Sequence, residues 1–159
     1  MKLSEKKRLY AESLIKEKCC WGIGLAEHYE IDKINILQPS LLAMKRAYED
    51  MLKKLEAWCK AQNINLISET ELYAITDGIY CPDISCSVKS EVKADSKYPA
   101  VMAASILAKT CRDKIMIEYD TLYPEYGYAK HKGYPTKLHK QICREKGPSP
   151  IQRLSFNIN

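Results

Sequence analysis

No stretch of this 159-residue chain comes near the roughly 20 consecutive apolar residues that a membrane-spanning helix needs. Its opening, MKLSEKKRLY, is polar and charged and lacks the apolar centre of an export signal. Together these absences predict a cytoplasmic protein with no membrane partner. The seven cysteines (Cys19, Cys20, Cys59, Cys81, Cys86, Cys111 and Cys143) are odd in number and include no Cys-x-x-Cys pair. Zinc ligation favours such paired spacing and disulfides need an oxidising compartment, so reduced thiols are expected, several of them in the core. Internal repeats and low-complexity tracts are also lacking.

The composition that remains is ordinary, with 46% hydrophobic and 28% charged residues, and fits one domain over residues 1–159, large enough to bury a core. Lys and Arg number 25 against 20 Asp and Glu, a net charge of +5. That excess suits an anionic partner such as nucleic acid without requiring one.

Apolar spacing and capping residues predict the elements. Ser4 caps a helix running to about Lys18, with Leu9, Leu14 and Ile15 as a partial apolar stripe. Cys19–Glu27 reads as a strand, followed by a connection. A long helix is expected from about Pro39 to Trp58, with Leu42, Met44, Ala47, Met51, Leu52 and Leu55 near helical spacing. A polar connection at Gln62–Glu71 leads to a strand at Leu72–Gly78, and the segment to Asp95 reads as irregular or hairpin-like. Helices follow from about Ala100 to Leu122, before Pro124, and from Thr136 to Lys146, stopped by Gly147-Pro148. Strands alternating with helices indicate an α/β domain. Two clear strands are little sheet for this many helices, so further sheet is expected from elsewhere.

Three constellations could carry chemistry. In the Leu72–Gly78 strand, alternation puts Tyr73, Ile75 and Asp77 on one face, expected to be the core-facing side. A carboxylate there could hold a metal, although Asp-Gly is also a common hairpin turn. On the helix after Ala100, the small and apolar run Ala103–Ala108 predicts burial near its start. Lys109 and Asp113 then share a face, with Arg112 alongside. The alternative is a surface Lys–Asp pair with a solvated arginine, the commoner case for an arbitrary helix. The segment Glu125–Lys140 interleaves tyrosine with lysine and histidine, which suits ring stacking on sugars or bases and cations on phosphates. It equally suits an exposed loop whose tyrosines buttress the core.

In sequence order, DG (Asp77-Gly78), VKAD (Val92–Asp95), AASILAKTCRD (Ala103–Asp113), YPEYGYAKHKGYPT (Tyr123–Thr136) and RLSF (Arg153–Phe156) accompany EIDKINI (Glu30–Ile36) and LLAMKRA (Leu41–Ala47). This set resembles type 2 ribonuclease H, the ribonuclease HII family, over almost the whole chain. The resemblance implies a ribonuclease H-like fold, with a central mixed sheet flanked by helices. It implies cleavage of the RNA strand of RNA–DNA hybrids, and of single ribonucleotides in duplex DNA, by two-metal-ion hydrolysis with Mg²⁺ or Mn²⁺. Asp77 and Asp113 match two of the family's four catalytic, metal-binding carboxylates. Tyr134 matches its tyrosine at the ribonucleotide junction, and Lys93, Lys109 and Lys132, in the same blocks, are the lysines expected to meet substrate. Oxygen ligands are what a hard cation takes, and two ions can activate water and stabilise the departing oxygen. Recognition of the RNA would rest on the 2′-hydroxyl and on duplex shape.

The family's other two carboxylates lie in an Asp-Glu-x-Gly-Arg-Gly segment that has no counterpart here, so the first strands of the sheet are expected to be missing. Ala94 stands where glycine is usual, Gln152 where histidine is usual, and Gln62–Glu71 adds length. Two readings follow from the resemblance: an endoribonuclease, monomeric at full length, or a truncated, catalytically inactive nucleic-acid-binding remnant. A third, a helical interaction module with exposed apolar faces, follows from the shortage of sheet.

Overall fold

A computed structural model describes residues 3–30 and 37–152. The family blocks at 31–36 and Arg153–Phe156 therefore lie outside the described residues. Five helices and two strands are named here: α1 (Glu5–Lys18), α2 (Leu37–Ala61), β1 (Tyr73–Asp77), β2 (Ser87–Glu91), α3 (Pro99–Leu122), α4 (Tyr128–His131) and α5 (Lys137–Lys146). The architecture is α/β, as the alternation predicts.

Local chemistry explains most of the helix ends. Ser4 caps α1 by accepting from the Lys7 N–H at 3.5 Å, and Thr136 caps α5 by accepting from the His139 N–H at 3.2 Å. Pro39 falls in the first turn of α2, and Pro99 opens α3, where the missing N–H has no helical partner to lose. Pro124 follows the end of α3 and Gly147 closes α5 in a positive-φ conformation.

The sheet differs from expectation. β1 and β2 are parallel, in a register that pairs Tyr73 with Ser87 and Asp77 with Glu91, so the segment after Asp77 is not a hairpin. The residues between them, 78–86, run back along the pair so that β2 starts beside the start of β1. This return is tethered to α2, where Lys45 Nζ donates to Asp83 at 2.9 Å and the Tyr48 hydroxyl meets Ser85 Oγ at 3.0 Å. Among the described residues these two strands are the whole sheet, and the expected core-facing side of β1 is open: Tyr73 is 60% exposed and Asp77 is exposed.

Cys19–Glu27, expected as a strand, pairs with no other strand among the described residues. It lies against α2 instead. A Cβ on Gly22 would stand 2.1 Å from the Ala47 carbonyl oxygen, and one on Gly24 2.1 Å from that of Ala43. These glycines let backbone rest on backbone, and the segment's polar groups turn to the helix. The Ile23 N–H donates to Asp50 at 2.9 Å, while Arg46 donates to Leu25 O at 2.6 Å and makes a bidentate pair with Glu30. Arg46 and the Glu27 N–H hold the Glu30 carboxyl down at about 2. Trp21 sits between two cations, with Lys16 Nζ and Lys54 Nζ at 4.9 and 4.5 Å from its ring.

The stripe on α1 is also corrected. Leu9 is 46% exposed, and the buried position is Glu12, 5% exposed, held by Lys16 at 2.7 Å and by Lys114 of α3 at 2.7 and 2.9 Å. Burial of Glu12 favours protonation, but the lysine hydrogen bonds outweigh it and set the carboxyl below its ordinary range. Nor is α3 buried all round at its start: Val101 and Leu107 are buried, whereas Met102, Ala104, Ser105 and Ala108 are exposed, because among the described residues its cover comes chiefly from α1, α4 and the short turn Ala94–Ser96.

Gly22→Ala should destabilise the fold by about 1–3 kcal/mol, because backbone atoms of α2 cannot yield as a side chain would. The shift in urea midpoint checks this, and an unchanged midpoint would contradict the packing of this segment on α2.

Candidate functional site

Helix α3 carries the centre of the site. Lys109 and Asp113 stand one turn apart and form an ion pair at 2.6 Å. From the other side Arg8 of α1 reaches Asp113 at 3.4 Å, and the Asp113 side chain retains 14% exposure. Asp113 is thus a recessed carboxylate between two cations, not half of a solvated surface pair. Arg8 lies 105 positions away in sequence, and no local pattern announces it.

Arg112 is not solvated either. Its Nη2 donates to the Lys132 carbonyl at 3.2 Å and its Nε is buried. Its guanidinium lies 5.3 Å from the Tyr134 ring, which Lys109 Nζ approaches to 5.2 Å. Tyr134 is half exposed. The result is an open aromatic face with two cations against it and the Asp113 carboxylate next along the helix.

Residues 127–136 form this surface because the chain turns sharply twice. Lys132 and Gly133 both have positive φ, 51° and 74°. Gly133 is fitted closely to α3: a Cβ there would meet Met116 Sδ at 3.4 Å and Arg112 Nη2 at 3.5 Å. The tyrosines divide between the two roles left open by the sequence. Tyr126 and Tyr128 are buried with ring centroids 6.0 Å apart and support the loop, whereas Tyr134 faces out. Beneath it His131 and His139, both buried, stack at 4.1 Å.

Asp77 sits at the end of β1 and accepts from the Ala94 N–H at 3.0 Å. Ala94 is fully buried in a short 3₁₀ turn, Ala94–Ser96, so alanine serves where glycine is usual. Lys93, just before it, is exposed in a left-handed conformation with φ 59°. Asp77 and Asp113 have no hydrogen-bonding partner in common. Glu91, across the register from Asp77, is engaged by Lys97, by Lys89 at 3.0 Å and by the Tyr98 hydroxyl at 2.8 Å, which hold it down at about 2. Lys109, Asp113 and Tyr134 therefore come together with the backbone of Lys132, and Asp77 and Lys93 stand at the end of the sheet, beside the Ala94–Ser96 turn that packs on α3.

The comparisons with known proteins agree with this combination of motifs. The family model "Ribonuclease HII" matches residues 1–159. The chain belongs to the ribonuclease HII family. One relative, the ribonuclease HII of Treponema denticola, is 52% identical, the match covering 99% of this chain and 80% of the relative.

Membership in that family brings the question of a divalent metal. Asp77 and Asp113 are oxygen donors of the kind Mg²⁺ or Mn²⁺ takes. They are too few for a complete centre: among the described residues no three His, Cys, Asp or Glu side chains converge as metal ligands. Asp113 is also already charge-compensated by Arg8 and Lys109. The described residues alone do not fit a two-ion site.

Arg112→Ala should loosen the 132–134 turn. The Tyr134 amide, bonded to the His131 carbonyl at 2.8 Å, should exchange its hydrogen about tenfold faster or more, with β1 amides unaffected. Unchanged Tyr134 exchange would contradict a supporting role for Arg112.

Proposed function

We propose that this protein is an endoribonuclease that cleaves the RNA strand of RNA–DNA hybrids and single ribonucleotides within duplex DNA, with Mg²⁺ or Mn²⁺ as the required ion. Family membership supports a hydrolytic ribonuclease. The observation that carries the nucleic-acid reading is the Tyr134 ring, half exposed and flanked by Lys109 and Arg112 beside the Asp113 carboxylate. A ring of this kind can pack against a sugar while neighbouring cations neutralise the phosphates on either side. Lys132 and Lys93 extend the basic surface. Asp77 and Asp113 are the carboxylates this chain offers to the reaction, within the ribonuclease H-like fold that the family implies.

A second reading has its own observation. The absence of a three-carboxylate cluster among the described residues favours a protein that binds such duplexes without cutting them. One assay separates the two. The purified chain is incubated with labelled duplex DNA containing one ribonucleotide, in Mg²⁺ or Mn²⁺. Cleavage beside the ribonucleotide that Asp77→Asn and Asp113→Asn each abolish supports the enzyme. Binding without cleavage supports the second reading, and full cleavage by both variants would sink the carboxylate assignment. In either case affinity should fall roughly tenfold or more between about 50 and 200 mM salt, measured by fluorescence anisotropy. A flat salt response would contradict a phosphate-contacting surface.

A further inference from the structure

The two buried histidines beneath Tyr134 are not among the residues assigned above to substrate, yet each holds one backbone group of Tyr134, His131 through its own carbonyl and His139 through its ring. The Tyr134 N–H donates to the His131 carbonyl at 2.8 Å, and the Tyr134 carbonyl accepts from His139 Nδ1 at 3.1 Å and from the Thr136 N–H at 2.8 Å. Partner chemistry fixes both tautomers. His139 Nδ1 faces a carbonyl, which cannot donate, so the proton is on Nδ1 and the buried Nε2 carries a lone pair with no partner. His131 Nε2 faces the Tyr126 carbonyl at 2.7 Å and is protonated, while its Nδ1 accepts from the Gly133 N–H at 3.2 Å. The rings are nearly parallel, 10° apart, and Tyr128 meets both edge-on.

We propose that neutral His139, stacked on His131, is a positioning residue for Tyr134: it aims the exposed ring at substrate, and acidification releases it. The proposal rests on the reading of Tyr134 as a substrate contact. A second proton on His139 would land on Nε2, buried without an acceptor and next to another imidazole. Burial, opposed by the Tyr134 carbonyl and reinforced by His131, places the His139 pKa below its ordinary 6.5. The sign follows from that direction. The neutral arrangement is fully stabilising above pH 6.5, and its contribution is lost as pH falls through the lower folded-state value. The titratable groups that face His139 are His131, stacked on it, and Tyr128, with Tyr126 and Cys143 beyond; burial pushes Tyr128 and Cys143 upward, and both stay neutral there. Ser149 bonds the Tyr128 hydroxyl, and Asp120 of α3 binds the Ala129 N–H instead of either ring. Lys109 and Arg112 lie over the Tyr134 ring.

The expected pH response runs against simple electrostatics. A basic protein that gains protons should hold a polyanion more tightly, whereas loss of the Tyr134 geometry should weaken binding on acidification.

The test uses the full chain, a fluorescein-labelled DNA duplex carrying one ribonucleotide, and EDTA to prevent cleavage. Wild-type affinity should fall as the pH is lowered from 7.5 through the folded-state pKa of His139, which lies below 6.5. At pH 7.5 His139→Leu should bind about tenfold more weakly, the equivalent of one lost hydrogen bond. His139→Asn, whose amide N–H can replace Nδ1–H but cannot titrate there, should recover most of that loss and flatten the pH response. Independently of binding, the ¹⁵N-labelled Tyr134 amide should titrate in the wild type below pH 6.5 and cease to do so in His139→Asn. Affinity that rises on acidification, or a Tyr134 amide that does not titrate, overturns the proposal. If Tyr134→Ala binds like wild type, the substrate role of Tyr134 fails. If Tyr134→Ala binds weakly but His139→Leu does not, only the positioning role fails.

Discussion

The carboxylate of Glu12 sets the relation between the first helix and the site. It is buried at the contact of α1 with α3, and only Lys16 and Lys114 make that position tolerable for a charge. A buried carboxylate without partners costs several kcal/mol, so few registers of α1 on α3 are affordable. In the observed register Arg8, one turn before Glu12, reaches Asp113, which lies directly before Lys114. Packing and site are thereby joined: the ion pair that docks α1 also places a cation on the candidate catalytic carboxylate.

Helix α3 then distributes the remaining parts. One turn carries Lys109 and Asp113, and Arg112 supports the Lys132–Gly133 turn that presents Tyr134. Below that turn the chain uses packed rings as a floor, with Tyr126, Tyr128, His131 and His139 all buried. A segment that looks uniformly aromatic and basic is thus two layers, a packed base and an exposed tyrosine between cations. That division is what a surface needs to meet a polyanion with defined geometry instead of diffuse charge.

The sequence made the local features legible. Ser4 as a cap, Pro39 near the start of α2, Pro124 beyond α3 and the Lys109–Asp113 spacing all act within a few residues, and each occurs where expected. Features that depend on distant partners were hidden. Gly22 and Gly24 make Cys19–Glu27 look like a strand, but the backbone they receive belongs to α2. The parallel pairing of β2 has no local signal, since residues 78–86 are fewer than the dozen or so a parallel crossover usually takes. Composition cannot distinguish buried Tyr128 from exposed Tyr134, and nothing near Asp113 points to Arg8. Strand alternation marks Asp77 and helix spacing marks Asp113, and the motif resemblance joins them. The structure supplies their surroundings; among the described residues it adds no third carboxylate, and Glu91 is committed to Lys89, Lys97 and Tyr98.

The central claim is that the Tyr134 face of α3 is where this protein meets nucleic acid. An NMR titration of ¹⁵N-labelled protein with a ribonucleotide-containing DNA duplex, without divalent metal, tests it most directly. The largest amide shifts should fall on Lys109, Arg112, Gly133 and Tyr134, with α2 little changed. Shifts concentrated on α2 or on Cys19–Glu27, with this face silent, would contradict it.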